Sequence, residues 1–160
     1  MRAGTLAIAC ALTVWSAVPT RAETRSPEDT VRQYLGALKE RRLADAYRLV
    51  SAAMRGGKSE EVWIKEQRAG MDMAEVKILE FTVYPGKTEG SVAHVPNVLS
   101  AQDRFLNQLG LTEYELYTLV REEGAWKVDS QVIVETPDIP KWFPKREAAR
   151  PEAPPTPASD

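Results

Sequence analysis

Residues 113–135, EYELYTLVREEGAWKVDSQVIVE, are two runs of β-branched and aromatic residues separated by Glu122-Glu123-Gly124. Such runs around a glycine-bearing turn form a β-hairpin. If Gly124 takes the left-handed conformation after a type I turn, the loop has three residues and Arg121 faces Ala125. That register pairs Val120 with Trp126, Thr118 with Val128, Leu116 with Ser130 and Tyr114 with Val132, and it puts all eight on one face. The opposite face then carries Glu115, Tyr117, Leu119, Arg121, Lys127, Asp129, Gln131 and Ile133. A register shorter by one residue would set Trp126 against Arg121 and mix charge into the core. The three-residue loop is therefore the expectation.

Upstream the period is helical. Ser26-Pro27-Glu28-Asp29 is a helix start, with a capping hydroxyl, a proline at the first helical position and acids at the positive end of the dipole. Val31, Tyr34, Leu35 and Leu38 make one apolar stripe; Leu43, Ala46, Tyr47 and Val50 make a second. These predict two helices, or one bent helix, from Pro27 to Met54. Ser59-Glu60-Glu61 begins a third helix expected to reach Ala69, with Gly70 closing it. From Val76 to Pro85 the period falls to two, with Leu79, Phe81 and Val83 expected inward and Glu80 outward. Glu89 to Leu99 reads as the next strand, with Pro96 marking an edge, a bulge or a break. Residues 100–110 are read as a helical turn or a long loop.

The two ends differ from the middle. Arg2, an apolar run of 13 residues from Leu6 to Val18 and the small residues around Arg21 make residues 1–22 resemble a secretory leader. A membrane span needs about 20 apolar residues, so no stable span is expected once the leader is removed. Cys10 lies too early in the run for a lipidation box. Cleavage after Ala22 leaves no cysteine, and it leaves 19 of the 21 basic residues against 23 acidic ones, a net charge of −4. A mildly acidic chain without a basic stripe is not expected to bind nucleic acid. Residues 23–135 form the expected domain. Residues 136–160, with seven prolines, read as a mostly disordered tail. The expected location is exported, periplasmic or extracellular.

Two or three helices followed by a curved four-stranded antiparallel sheet is an α+β domain. The opening helix around Thr30-Val31-Arg32-Gln33-Tyr34-Leu35, the second helix Leu43-Ala44-Asp45-Ala46-Tyr47 and the closing Val120-Arg121-Glu122-Glu123-Gly124-Ala125-Trp126 resemble the nuclear-transport-factor-2-like superfamily. The resemblance covers residues 26–135 and implies a sheet wrapped around the first helix, a pocket between them and dimers through the outer sheet face. Superfamily members include isomerases, dehydratases, transport adaptors and exported domains of unknown role, so the fold does not set the activity.

The site candidates follow from the register above. Tyr34 and Tyr47 on the helices, with Tyr114, Thr118, Trp126 and Ser130 on the inward face, are the pocket-lining candidates, and the sole histidine, His94, joins them. No carboxylate falls inward under this pairing, so no catalytic residue is assigned. A lone histidine without cysteine makes no metal site, and no cofactor is expected. Tyr117, Leu119 and Ile133, apolar among outward charges, are the candidates for a homodimer or envelope-partner surface. Lys141-Trp142-Phe143-Pro144 is expected to fold back over the domain's open edge. The preferred function is a non-catalytic exported binding module for a protein, peptide or small apolar ligand. The alternative is a small isomerase- or hydratase-like enzyme working in the cone.

Overall fold

The computed structural model describes residues 25–105 and 107–145. The expected leader, residues 1–22, and the last part of the tail, residues 146–160, lie outside the described residues. Helices α1 (Pro27–Lys39), α2 (Leu43–Leu49), α3 (Ala52–Arg55) and α4 (Glu60–Met73) precede a sheet of β1 (Lys77–Val83), β2 (Lys87–Glu89), β3 (Val92–Gln102), β4 (Thr112–Glu122) and β5 (Ala125–Ile133). All pairings are antiparallel in the order β1-β3-β4-β5, and β2 extends the β1 edge of β3. A 3₁₀ turn (Thr136–Asp138) and α5 (Ile139–Trp142) follow. The architecture is the expected α+β one.

The helices start where free backbone amides find acceptors. Ser26 Oγ accepts from Asp29 N, Ser51 Oγ from Met54 N and Ser59 Oγ from Val62 N. The third expected helix is longer than its sequence indicates. Gly70 continues it to Met73, and the α4 carbonyls of Gly70 and Asp72 are closed by the Ala74 amide. An isolated glycine costs a helix about 1 kcal/mol, too little to end a 14-residue run.

The hairpin corrects the expected register. Its loop has two residues, Glu123 and Gly124, both left-handed at φ 51° and 80°, as a type I′ turn requires. Arg121 therefore faces Trp126 and Leu119 faces Val128. The feared charge beside Trp126 is accommodated at the sheet's end, where the exposed Arg121 guanidinium lies 5.0 Å from the indole centre. A bulge at Asp129 then changes the phase, so Thr118 faces Ser130, Tyr117 faces Gln131 and Glu115 faces Ile133. Trp126 and Val128 thus share the inner face with Gln131, Tyr117, Leu119 and Glu115. Asp129 itself accepts a hydrogen bond from Ser51 Oγ at 2.6 Å, tying α3 to β5.

A second bulge does the same at the other edge. Ile78 faces Ala101 and Glu80 faces Ser100, leaving Leu79 unpaired and largely exposed. Ile78, Phe81 and Val83 face inward, and the inward Leu79 of simple alternation is replaced by Ile78. Pro96 neither ends nor bends its strand, which runs on to Gln102. Its oxygen accepts from Tyr84 N just beyond the end of β1, so the ring sits where the neighbour changes from β1 to β2 and no ladder donor is missed. At the same turn Gly86 donates to Glu28 Oε1 at 2.9 Å, and a Cβ there would fall 2.7 Å from the His94 carbonyl oxygen.

Both faces of the sheet are covered. The inner face packs Ala93, Val95, Leu99, Tyr117, Leu119, Trp126 and Val128 against Val31, Tyr34 and Leu35 of α1, Leu43 and Ala46 of α2, and Trp63 of α4. On the outer face Val98 and Leu116 are covered by Val134 and Phe143. The chain past Glu135 is therefore ordered as far as Phe143, because Pro137 and Pro140 occupy first-turn positions where a missing amide costs nothing.

Candidate functional site

Between α1, β1 and the far ends of β3 and β4 lies a hollow of about 260 Å³, walled by Tyr34, Leu35 and Leu38 of α1, Ile78, Leu99 and Ala101 of the sheet, and Glu115, Tyr117 and Gln131. The chain at Asp103 and Asn107 closes one side. Asn107 holds it, donating from Nδ2 to the carbonyls of Ala101 and Leu111 and accepting at Oδ1 from Leu111 N.

Glu115 is the centre of this hollow. Alternation on β4 turns it inward with Tyr117 and Leu119, and the residue is only 2% exposed. Its Oε2 accepts from Asn97 Nδ2 at 2.8 Å and from the Tyr117 hydroxyl at 3.1 Å; its Oε1 accepts from Gln131 Nε2 at 2.6 Å. Burial pushes the carboxyl up to about 7, with Glu113 adding to the rise, while the three hydrogen bonds hold it down. Burial and the Glu115 charge raise Tyr34 to about 12, and Tyr117 is raised for the same reasons. A carboxyl that changes charge near neutrality inside a pocket has the chemistry of a recognition group and of an acid or base.

The expected pocket residues divide between the two faces. Tyr34 lines the hollow, its ring 6.3 Å from Tyr117 in an edge contact, and Trp126 lies in the inner core. Tyr47 belongs to the helical layer, against Trp63 and under Arg55, with its hydroxyl donating to the Lys58 carbonyl. His94, Tyr114, Thr118 and Ser130 are on the outer face. His94 Nδ1 lies 3.3 Å from Thr118 Oγ1 and its ring 5.7 Å from Trp142. The Tyr114 ring packs edge-on to Phe143 at 4.9 Å, and Ser130 is exposed opposite Thr118. Of the surface candidates, Tyr117 and Leu119 are buried core residues, and Ile133 is exposed. Glu115, Asn97 and Gln131 escaped sequence reasoning because the expected register turned Glu115 and Gln131 outward. An acid in line with Tyr117 and Leu119 at odd positions of β4, had the two-residue turn been chosen, was the available signal.

Among the described residues no three His, Cys, Asp or Glu side chains are placed to hold a metal ion, and no helix is long and apolar enough to cross a membrane.

No protein-family model matches the chain, and no curated protein matches it. Solved structures do. A SEC-C motif containing protein from Rhodopseudomonas palustris superposes with a TM-score of 0.53 at 17% identity, over 69% of this chain and 83% of that one. A candidate ketosteroid isomerase from Shewanella frigidimarina gives 0.50 at 19% identity, over 68% and 95%. A nuclear-transport-factor-2-like protein from Cytophaga hutchinsonii overlaps more loosely, at 0.47 and 13% identity over 66% and 92%. At such identities the likeness is one of fold alone. What the first two share with this chain is the α+β fold, helices followed by a curved antiparallel sheet.

Proposed function

We propose that the chain is an exported small-molecule-binding domain whose ligand enters the cone and hydrogen-bonds to Glu115. The observation that carries this reading is a nearly inaccessible carboxyl on the wall of a 260 Å³ hollow that combines apolar and aromatic side chains with a few polar ones. Glu115 Oε1 accepts one bond from within the protein and has a further lone pair to offer. Residues 1–22, with their leader-like pattern, support export.

Ligand-observed NMR with small neutral ring fragments tests the pocket. Fragments should bind the full chain, and Ala101→Phe, which fills the hollow, should abolish the signal while the fold survives. Binding undiminished by Ala101→Phe puts the site elsewhere. Export is tested by sequencing the N-terminus of the protein recovered from a cell fraction. A chain kept in the cytoplasm with residues 1–22 intact refutes it.

The buried Glu115 also favours a second reading, proton transfer at a carbon next to a carbonyl, for which a carboxyl titrating near neutrality is suited. Its test is deuterium exchange of cyclohexanone in heavy water. Exchange no faster than that of Glu115→Gln rules it out.

A further inference from the structure

The side chains around the hollow are one-sided in charge. Its wall carries Glu115 and Glu113 from β4 and Asp103 from the connection between β3 and β4, with the phenols of Tyr34 and Tyr117, and among the described residues no Lys, Arg or His lines it. The carboxylates feel one another: Asp103 helps to raise Glu113, and Glu113 helps to raise Glu115. Of the basic residues on the flanking elements, Lys77 of β1 is exposed to solvent, and three others are engaged elsewhere. Arg41 donates to Asp72 and to the Val76 carbonyl, Lys39 to the Leu79 carbonyl, and Arg104 pairs with Glu75.

The polar cluster is also short of donors. Asn97 is fully buried, and with Nδ2 committed to Glu115 its Oδ1 has no partner. Asn97 lies behind the wall of the hollow, and the wall itself offers the free lone pair of Glu115 Oε1, which in the ionised form only accepts and so favours an occupant that brings N–H groups. Leu35, Leu38, Ile78, Leu99 and Ala101 supply the apolar remainder of the wall. An anionic ligand would meet three like charges there, a repulsion strengthened by burial.

We infer that the hollow takes a small protonated amine with a compact hydrocarbon body, its ammonium set against Glu115 in the field of Glu113 and Asp103. This rests on the small-molecule reading above and names the ligand's chemical class. An ammonium has three donors, and a charge-assisted bond to Glu115 Oε1 uses the lone pair that Gln131 leaves. The volume suits a body of about six carbons. The amine enters already protonated, and its charge favours the ionised form of Glu115. The fraction of Glu115 that was neutral therefore releases its proton to solvent on binding.

The full chain is titrated by calorimetry with cyclohexylamine, cyclohexanol and cyclohexanecarboxylate at neutral pH, in two buffers of different ionisation enthalpy. The amine should bind about ten-fold or more tightly than the alcohol, the carboxylate should give no heat, and a fraction of a proton should be released. Affinity for the amine should fall at about pH 5.5, where Glu115 is protonated. Glu115→Gln should bring the amine to the alcohol's affinity. Glu113→Gln, which leaves the hydrogen bonds around Glu115 untouched, should weaken the amine about three-fold more than it weakens the alcohol. An alcohol or carboxylate binding as tightly as the amine overturns the inference and leaves the small-molecule hollow standing. Failure of all three probes to bind overturns both.

Discussion

The two faces of the sheet are built from the same strands and do different work. The inner face of β3 and β4 runs through Ala93, Val95, Asn97 and Leu99 and through Glu115, Tyr117 and Leu119; it is closed by three helices and contains the buried acid. The outer face, with His94, Pro96, Val98, Tyr114, Leu116 and Thr118, is covered near Val98 and Leu116 by a short C-terminal strap. The inner face holds its polar groups in a network around one carboxyl. The outer face holds the histidine, but at a tilted stack of aromatic rings rather than in a hollow. A titratable residue becomes a site candidate by burial and partners, and only the inner face supplies both.

The sharpest way to break the contrast is to empty each face in turn. Leu119 is wholly buried among the helices and sheet, so Leu119→Ala should cost about 3 kcal/mol in urea unfolding. Leu116→Ala, on the strap side, should cost clearly less; equal losses would mean that the strap is as firmly packed as the helices. A pH series separates the faces next. Glu115 is raised by folding, so its stabilising contribution is full below the unfolded value and is lost as pH rises towards about 7. The wild type should lose on the order of 2–3 kcal/mol across that window and Glu115→Gln should not. Parallel curves for the two proteins would show that Glu115 titrates normally.

The strap gives the third comparison. Phe143 packs edge-on to Tyr84 and Tyr114, and Phe143→Ala should free residues 136–143 at a cost of about 2 kcal/mol. Amide exchange should rise there and stay slow in β3 and β4. Uniformly faster exchange would make the strap part of the main cooperative unit. The smallest effect belongs to the turn. Glu123 pays a left-handed penalty that Asn bears more easily, so Glu123→Asn should raise stability by about 0.5 kcal/mol. A decrease would argue against the two-residue loop.

Much of the architecture was legible because it is written in local periods and caps. Ser26, Ser59 and the stripes of α1 and α2 predict the helices, and two alternating runs around Gly124 predict the hairpin. The site was not legible. A single-residue difference in the loop turns Tyr117 and Leu119 of β4 to the side of Trp126 and Val128, and a bulge at Asp129 then brings Gln131 to that same face. Simple alternation applied to both arms therefore buried Tyr114 and Thr118 and turned Glu115 to solvent.

The amino-acid order alone determined the class of fold, the helix starts, the existence of the hairpin and the mildly acidic net charge, because each is read from the residues themselves or from neighbours within a turn or a strand. Only the tertiary structure decided which side of the sheet the helices cover, and so that Glu115 is the acid buried with Asn97 and Tyr117. That choice rests on two bulges and a turn. Each shifts the alternation by one residue, and the energy that selects them comes from packing against α1 and α2, distant in the chain.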